Sequence, residues 1–512
     1  MDTKALRQKI LDLAIRGKLV PQDPNDEPAS VLLERIRAEK QQMVKDGKLK
    51  PKDIKNDTVI FKGDDNLHYE KFSDGTVKCI EDEIPFELPD NWEWVRIKTA
   101  CVINPRNSID DNTEVSFVPM ANIKEGYANK FISDIRVWKK VKKGYTHFAD
   151  NDIGIAKITP CFENKKSVVF SSLINGYGAG TTELYIVRTI SSLVIPEYLL
   201  NFVKRDDFIA GGVLTFSGDV GQQRVTKDYV ANYLFTLPPL NEQQRILNAV
   251  HTATSLIESI EKANDNLIRD IDKTKSKILD LAIRGKLVPQ DPNDEPASVL
   301  LERIQAEKEE LIKQGKIKRD KKESAIFKGD DNSYYQDLPE NWEICSIMAI
   351  AEVDLGKTLD KNKNTGKFYP YLRSVNIKWN EIDLSDIKEM QFEKDELQRY
   401  SIVKGDLLIC EGGDVGRCCI WSSDETIYYQ NALHRVRFHG GCEPKYFLYF
   451  MMYLEHTGYL KRISNGVTIK HLTKTVLTTI PFMLPPLSEQ KRIVDEIEKI
   501  FAVLEDIANQ VA

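Results

Sequence analysis

The chain has 512 residues, of which 72 are Lys or Arg and 78 are Asp or Glu, so its formal net charge is -6. This balance excludes an overall positive surface as a sign of a nucleic-acid partner, and any polyanion site must be local. The length predicts three or four structural units, each with enough residues to build a core.

Cysteine usage and hydropathy predict a cytosolic protein. The 8 Cys form no Cys-x-x-Cys pair, which favours reduced structural thiols. The first 15 residues lack a signal-peptide core, and the longest apolar run, 447–454, is too short to cross a bilayer. We therefore expect neither secretion nor membrane insertion.

The N-terminal segment predicts two helices followed by a linker. The first helix should end near Gly17, and Pro21 and Pro28 separate it from the second. The Lys-rich stretch at 40–57 comes next, and acidic residues are mixed into it without interleaved aromatic residues. We interpret this stretch as a solvated helix end and linker rather than a DNA-binding arm.

Two globular regions open alike, with Leu-Pro-Asp-Asn-Trp-Glu from residue 88 and Leu-Pro-Glu-Asn-Trp-Glu from residue 338. Further landmarks recur at offsets of 248 to 254, so we expect two domains of one fold with diverged surfaces. Short β-branched and aromatic runs predict strands at 115–118, 184–187, 407–410 and 427–429. Helices are predicted near 197–206 and 445–456, which makes each domain α+β.

Between these regions, residues 237–304 predict a long helix. The segment begins with Leu-Pro-Pro-Leu-Asn-Glu-Gln-Gln-Arg-Ile, and apolar residues then recur at steps of four and three. This spacing is typical of a coiled-coil seam, in which the polar Asn264 and Thr274 would favour one register. About 40 residues give a rod of roughly 60 Å. An ordinary amphipathic surface helix is the alternative. The predicted seam residues are Ile246, Val250, Ala253, Ile257, Ile260, Leu267, Ile271 and Ile278.

Both ends of this segment have a second copy elsewhere in the chain. Residues 484–493 read Leu-Pro-Pro-Leu-Ser-Glu-Gln-Lys-Arg-Ile, and residues 11–36 are identical to 279–304. The C-terminal helix followed by the N-terminal helix therefore reads as one split copy of the central segment, as in a circular molecule. We expect the two long helices to pack antiparallel. The seam would continue through Ile493, Ile497, Ile500, Leu504 and Ile507.

Catalytic motifs are missing or broken. Gly356-Lys357-Thr358 resembles the end of a phosphate-binding loop, but Ala351 stands where the first glycine is needed. The glycines at 176–180 lead into a predicted strand rather than a helix, which argues against a dinucleotide or methyl-donor site. Most of the 7 His are isolated and lack metal-ligand partners at helical spacing. We expect no catalytic residue and no metal.

Taken together, these motifs make the chain resemble the specificity subunit of a type I DNA restriction-modification system. The resemblance rests on the two Leu-Pro-Pro-Leu-x-Glu-Gln-x-Arg-Ile helix starts, the repeated Leu-Ala-Ile-Arg-Gly-Lys-Leu-Val-Pro-Gln segments and the paired domain openings. It also rests on residues 404–417, from Lys404 to Arg417. Together they cover nearly all of the sequence.

The resemblance implies an α+β fold with two similar target-recognition domains, separated by a long antiparallel two-helix coiled coil in a circular, pseudo-two-fold repeat. It implies that each domain reads one half of an asymmetric, interrupted sequence in double-stranded DNA. The helices would set the gap and dock two methyltransferase subunits, and motor-nuclease subunits would join for restriction. S-adenosylmethionine, ATP and Mg²⁺ would belong to those partners, with no cofactor in this chain. Half-site centres about 10 bp apart would let both domains face one side of the duplex.

We place the domain boundaries from these repeats. They are 1–60 for the N-terminal helical segment, 61–236 for the first recognition domain, 237–325 for the central helical region, 326–483 for the second recognition domain and 484–512 for the C-terminal helix.

The candidate DNA-binding residues are polar positions, some of them matched between the two domains, because a shared binding face should keep such groups. In the first domain they are Asn122, Lys124, Lys165, Lys166, Thr182, Tyr185, Gln222, Gln223, Arg224 and Lys227. In the second they are Arg373, Asn376, Lys378, Arg417, Asn431, His434, Arg435, Lys470, His471 and Lys474.

Two other functions remain open. A coiled-coil scaffold carrying two peptide-binding or protein-binding domains would show no salt-dependent affinity for duplex DNA, whereas a specificity subunit with its methyltransferase should. A self-sufficient nuclease or methyltransferase would turn over DNA as the isolated chain.

Overall fold

A computed structural model describes residues 2–190, 193–219, 222–317, 338–360, 364–464 and 471–511. The chain divides into two compact units, Met1–Lys262 and Ala263–Ala512, and the division falls within one long helix. Within the described ranges, no helix combines the length and apolar character needed to cross a membrane.

Unit 1 contains helices and short strands. Its helices are α1 (Thr3–Ile15), α2 (Ala29–Lys45), α3 (Pro51–Ile54), α4 (Ile97–Ala100), α5 (Trp138–Val141), α6 (Pro196–Val203), α7 (Asp206–Val213), α8 (Lys227–Asn232) and the first part of α9 (Leu240–Ile283). Its strands are β1 (Val59–Lys62), β2 (His68–Lys71), β3 (Val77–Cys79), β4 (Glu93–Arg96), β5 (Cys101–Ile103), β6 (Glu114–Val118), β7 (Asp134–Val137), β8 (Thr146–Ala149), β9 (Ile153–Ala156), β10 (Ser167–Val169), β11 (Tyr177–Gly180), β12 (Leu184–Thr189) and β13 (Leu234–Leu237).

Unit 2 repeats most of this order. Its further helices are α10 (Ala297–Lys313), α11 (Ile347–Ile350), α12 (Pro444–His456), α13 (Tyr459–Ile463), α14 (Lys474–Thr478) and α15 (Leu487–Val511). Its strands are β14 (Glu343–Ser346), β15 (Ala351–Leu355), β16 (Lys367–Leu372), β17 (Ile377–Lys378), β18 (Glu381–Ile382), β19 (Lys388–Phe392), β20 (Ser401–Ile402), β21 (Leu407–Cys410), β22 (Cys418–Ile420), β23 (Ile427–Tyr429), β24 (Leu433–Phe438) and β25 (Pro481–Leu484).

The four-stranded sheets of the two units have the same topology, whereas the sheet β1-β2-β3 of unit 1 and the pair β17-β18 of unit 2 have no counterpart among the described residues. Unit 1 has four-stranded sheets in the orders β10-β9-β12-β5 and β7-β6-β11-β8, and unit 2 has β22-β21-β24-β15 and β19-β16-β23-β20. In each unit the second sheet contains one parallel pair, β6 with β11 or β16 with β23. A two-stranded ladder, β4 with β13 or β14 with β25, lies next to the start of a long helix. The predicted duplication, the strands and the α+β class are confirmed.

Helix α9 forms because apolar residues recur along 44 residues without Gly or Pro. It ends where Gly285 takes a φ of +65° and Lys286 N donates to Leu281 O at 2.8 Å, a bond that closes the last turn. The shorter α1 ends in the same way, at Gly17 with Lys18 N donating to Leu13 O at 2.9 Å.

Within unit 1, α1 runs antiparallel to the first part of α9. Arg7 contacts Glu261 at 2.9 Å, and Gln22, beyond the end of α1, contacts Glu242 at 2.5 Å. Unit 2 repeats this arrangement with the second part of α9 and α15. Lys275 contacts Glu505 at 3.0 Å, and Asn264 Nδ2 donates to Val511 O at 3.4 Å.

Burial along the predicted seam is graded. Six residues are buried: Ile246, Val250, Ile257, Ile271, Ile493 and Ile497. Ala253, Ile260, Ile278, Ile500 and Leu504 are half-buried. Leu267 and Ile507 are 38% and 37% exposed, which departs from the continuous seam that the spacing predicted. Leu267 lies one turn from Asn264, which contacts the end of α15, and Ile507 lies one turn from that end, so both have fewer neighbours.

A buried joint attaches the globular domain to the helices in unit 1. Trp92 Nε1 donates to Glu242 Oε2 at 2.9 Å, and Gln22 Nε2 donates to Glu242 Oε1 at 2.5 Å. Burial raises the pKa of Glu242. A Cβ on Gly17 would lie 2.5 Å from Pro89 Cγ, so the turn and the proline pack directly on one another.

Unit 2 has the same joint. Trp342 Nε1 donates to Glu489 Oε2 at 2.9 Å and Gln290 Nε2 donates to Glu489 Oε1 at 2.5 Å. Burial raises the pKa of Glu489, and a Cβ on Gly285 would lie 2.4 Å from Pro339 Cγ. The tryptophan of each domain opening and the glutamate of each helix start therefore recur together because they bond to each other.

The other polar residues of the helix starts also have defined partners. Gln243 Oε1 accepts from Ile195 N at 2.8 Å, one residue before α6, and Arg245 contacts the buried Asp26 at 2.6 Å. In unit 2, Gln490 Oε1 accepts from Glu443 N at 2.9 Å and Arg492 contacts Asp294 at 2.6 Å. Each motif thus fixes one globular domain on its helices.

Candidate nucleic-acid interface

In unit 1, three loops meet where β9 ends and β12 begins. Val225 N donates to Lys157 O at 2.9 Å, and Thr159 N donates to Gln223 O at 2.9 Å. Tyr185 Oη donates to Val225 O at 3.0 Å. We call residues 157–166, 181–185 and 222–227 the loop edge of unit 1.

The same scaffold is present in unit 2. Leu472 N donates to Glu411 O at 2.7 Å, and His434 Nε2 lies 2.7 Å from Leu472 O. We call residues 411–417, 430–435 and 471–474 the loop edge of unit 2. By these contacts, Lys157 corresponds to Glu411, and Tyr185 corresponds to His434 as the sequence predicted.

The loop edge of unit 1 presents cations, amides and an aromatic ring. Arg224 makes a two-point contact with Glu183, at 2.9 Å for each nitrogen–oxygen pair. This hydrogen bond lowers the pKa of Glu183 and raises the pKa of Arg224. Lys157 Nζ lies 5.3 Å from the centre of the Tyr185 ring. Of the predicted residues here, Thr182, Gln222 and Lys227 are exposed, and Lys166 and Gln223 are half-buried.

The loop edge of unit 2 carries different side chains on the same backbone. His471 is exposed, Asn431 is half-buried, and Lys474 Nζ lies 3.9 Å from Asp354. Burial raises the pKa of Glu411, which stands where unit 1 has Lys157. The two edges therefore offer different hydrogen-bonding groups. The predicted residue Lys470 lies outside the described residues.

Two predicted residues, Lys165 in unit 1 and Asn376 in unit 2, are buried and bonded to the protein. Lys165 is 7% exposed, and its ammonium contacts Asp206 and donates to Tyr127 Oη at 3.1 Å. Asn376 is 2% exposed and donates to Asp383 O at 2.9 Å. Both side chains hold loops in place.

Two predicted residues on β24 are also buried. His434 is fully buried, and burial lowers the pKa of its imidazole. Arg435 is 3% exposed, donates to Ser401 O at 2.8 Å and contacts Asp354 at 3.0 Å. Both residues therefore support the loop edge from the protein interior.

Further predicted residues lie on or beside each loop edge. In unit 1, Asn122 is half-buried and Lys124 is exposed, and Gly126 N of the same segment donates to Asn164 O at 2.8 Å. In unit 2, Arg417 donates to Ser374 O at 3.0 Å. Arg373 contacts Asp386 at 2.7 Å, and the exposed Lys378 lies 3.5 Å from Asp383. The fold thus brings these residues and the loop edge to one end of each domain.

The sequence reasoning missed Lys157, Glu183 and Glu411. Lys157 and Glu411 each directly follow a buried strand, β9 or β21, at the start of a loop. That position is a usable signal, because a charged residue at the end of a buried strand marks where the chain reaches solvent. The described residues contain no group of three or more His, Cys, Asp or Glu that could hold a metal ion.

Comparisons with known proteins agree with this duplicated architecture. A family model described as the type I restriction modification DNA specificity domain matches residues 89–269 and 339–511. The chain is 34% identical to the specificity subunit of the type I restriction enzyme EcoEI from Escherichia coli, over 99% of this chain and 90% of that protein. It is 35% identical to the EcoAI specificity subunit from Escherichia coli, over 97% of this chain and 88% of that protein.

A solved structure resembles the fold. One chain from a study of complex assembly and conformational transition of the type I R-M system superimposes with a TM-score of 0.56. Its sequence identity is 19%, and the match covers 83% of this chain and 94% of that chain. At this identity, the likeness supports the fold alone.

Proposed function

Because this chain belongs to the family of type I restriction-modification DNA specificity subunits, we propose that its two units read the two halves of an asymmetric, interrupted duplex sequence. The observation that supports this most directly is the pair of loop edges. They share one hydrogen-bonded scaffold but differ at Lys157 and Glu411, at Tyr185 and His434, and at Arg224 and His471. One scaffold with two side-chain sets suits two different half-sites.

Within each edge we divide the residues by exposure. We propose that the exposed or half-buried Gln222, Gln223 and Arg224 approach base edges, because amides and guanidinium groups pair bidentately with adenine and guanine. Lys124, Lys166 and Lys227 would contact phosphates, which position the protein without reading sequence. Four buried residues would hold the loops of these edges in position: Lys165, Asn376, His434 and Arg435.

We propose that the helices dock two methyltransferase subunits and fix the gap between half-sites, and that motor-nuclease subunits join for restriction. Three apolar side chains on these helices support docking, since Leu256, Val503 and Leu6 are 63%, 57% and 38% exposed. The chain itself would be non-catalytic and would act in the cytoplasm. S-adenosylmethionine, ATP and Mg²⁺ would be bound by the partner subunits.

The test is methylation mapping with the chain and its methyltransferase subunits expressed together. We expect one interrupted, asymmetric motif, and a logarithm of duplex affinity that falls linearly with the logarithm of salt concentration. Absence of salt-dependent affinity would favour a protein-binding scaffold instead. Methylation or cleavage by the chain alone would overturn the non-catalytic proposal.

Two matched variants assign the edges. Arg224→Ala should weaken discrimination in one half of the motif by roughly ten- to hundred-fold, the worth of a good bidentate base contact. His471→Ala, at the corresponding position of unit 2, should affect the other half only. If both variants changed the same half, the assignment of one half-site to each unit would be wrong.

A further inference from the structure

The Lys-rich segment after α2 is folded onto the first recognition domain. Leu49 is 8% exposed, and its amide donates to Met43 O at 3.0 Å. At the far end, Ser73 Oγ donates to Lys55 O at 2.6 Å. The segment is therefore held at both ends rather than extended into solvent as a linker.

A buried lysine strengthens this attachment. Lys40 is 2% exposed and donates to Lys98 O at 2.8 Å and Thr99 O at 3.2 Å. Its ammonium also contacts Asp57 at 2.6 Å, and burial raises the pKa of that carboxyl. The last part of α2 and residue 57 are thus pinned to the domain on either side of the lysines at 48–55.

The docked segment forms one wall of a cleft of about 1050 Å³. Eight Lys or Arg line the cleft, against four Asp. Arg188 is paired with the buried Asp152 at 2.7 Å, and the other seven cations still outnumber the four Asp, so the lining is positive. Three of the four Asp are engaged with protein groups: Asp57 with Lys40, Asp53 with the amide of Lys50, and Asp74 with Thr76. The cations Lys48, Lys50, Lys52, Lys55, Arg106 and Lys227 are exposed.

The opposite wall adds a cation in a less polar setting. Lys98 Nζ donates to Asn232 Oδ1 at 2.6 Å, and burial lowers the pKa of its ammonium. An anion at this position would offset the cost of burying that charge. Lys227 lines the cleft and is also the last residue of the loop edge of unit 1, so the cleft and the loop edge adjoin at this residue.

We propose that this cleft binds the phosphodiester backbone of duplex DNA beside the half-site read by unit 1, so that residues 48–55 form a phosphate clamp. The inference rests on the proposed function, because it adds a second contact to the same DNA. The clamp reads no bases, since lysine contacts phosphate as a point charge. It increases affinity for every sequence and keeps the loop edge on the duplex.

The experiment uses the complex of the chain with its methyltransferase subunits. The clamp variant combines Lys50→Gln, Lys52→Gln and Lys55→Gln. The control variant removes the same charge from positions outside the cleft, the loop edges and the long helices, with Lys62→Gln, Lys78→Gln and Lys404→Gln. All six lysines are exposed, so both variants should keep the melting temperature of the unchanged complex.

Duplex affinity is measured over a range of salt concentrations. The slope of log affinity against log salt is negative, and each lost phosphate contact reduces its magnitude by about 0.9. The slope of the clamp variant should therefore be smaller in magnitude by about 2 to 3. The control variant should keep the slope, and all three complexes should methylate the same motif. A clamp variant with the slope of the unchanged complex would overturn the inference while leaving the proposed function intact.

Duplex length provides a second readout. A site with flanks trimmed on both sides should bind the unchanged complex more weakly than a site with long flanks, and the clamp variant should show a smaller difference. An equal difference for both would contradict a flanking contact. If the unchanged complex showed no salt-dependent duplex affinity, the proposed function itself would fail.

Discussion

The indole of Trp92 donates a hydrogen bond to a buried carboxylate, so its contribution to stability depends on the charge of Glu242. Burial raises the pKa of Glu242 above the unfolded value of about 4.3. The folded chain therefore holds this proton more tightly. The stability that protonation adds is complete below about pH 4.3 and is lost as pH rises through the folded-state pKa.

The raised pKa of Glu242 predicts that the stability lost by Trp92→Phe depends on pH. The substitution removes a donor that stabilises the ionised carboxylate, and a hydrogen bond to a charged group contributes about 1.5 to 3 kcal/mol. Thermal unfolding at pH 8 should show the larger loss of stability, and unfolding near pH 4, where the raised pKa keeps Glu242 mostly protonated, should show a smaller one.

The control is Trp421→Phe, because Trp421 Nε1 donates to the carbonyl of Glu425 at 2.8 Å rather than to a carboxylate. The stability lost by Trp421→Phe should be the same at the two pH values. An equal pH response in both variants would mean that Glu242 is not the source of the effect.

Two glycines with left-handed backbone separate conformational strain from crowding. Gly17 has a φ of +64° and packs on Pro89, whereas Gly47 has a φ of +71° and no atom within 4 Å of an added Cβ. Both Gly→Ala variants should lose about 1 to 2 kcal/mol from the backbone conformation. Gly17→Ala should lose about 1 to 3 kcal/mol more, because the methyl group overlaps the proline ring.

Chemical unfolding of both variants measures this difference. A similar loss for Gly17→Ala and Gly47→Ala would show that the contact with Pro89 relaxes freely. It would also remove the steric reason for a glycine at this turn.

At the level of elements, the seam of α9 predicts different outcomes for adjacent residues. Ile257 is 2% exposed and Leu256 is 63% exposed. Ile257→Asp would bury an unpaired charge, which costs several kcal/mol, whereas Leu256→Asp places the charge in solvent. We expect Ile257→Asp to lower the melting temperature strongly, Ile260→Asp less so, and Leu256→Asp little.

Assembly with the methyltransferase subunits adds a second readout. Leu256→Asp should weaken assembly without destabilising the chain if its exposed side chain belongs to the docking surface. Normal melting and normal assembly of Ile257→Asp would contradict the coiled-coil interpretation.

The helices and strands were predictable because their signals are local. The four-three spacing of α9 and the β-branched runs of β6, β12, β21 and β23 can be recognised without knowing what packs against them. The exposure of Leu267 was not predictable from spacing alone, because it depends on where the partner helix ends.

Roles of single polar residues depend on contacts distant in sequence. Tyr185 and His434 were matched correctly as a pair, but the sequence could not show that both bond to a carbonyl about 40 residues away. The sequence predicted that Lys40 lies in a solvated stretch, but its ammonium donates to backbone carbonyls within residues 98–101. Burial of a lysine leaves no local sequence signal.

At the level of the whole molecule, the repeated joint predicts that recognition domains are exchangeable. Residues 338–483 contribute Pro339 and Trp342 to the joint of unit 2, whereas Gly285, Gln290 and Glu489 lie outside that segment. A replacement segment from another specificity subunit that keeps the Leu-Pro-x-Asn-Trp-Glu opening should therefore seat on the same partners. Methylation mapping should show a new sequence in one half of the motif and no change in the other half.

The joint also supplies the control for this exchange. The control is the same replacement with Trp342→Phe added. Glu489 then loses the hydrogen bond from the indole and keeps the one from Gln290. The exchanged unit should therefore melt at a lower temperature. The bases read by the new segment should stay the same, because the indole lies in the joint and not at the loop edge. If the exchange altered both halves of the motif, the two units would not read independently, and the division of labour proposed from the two loop edges would have to be abandoned.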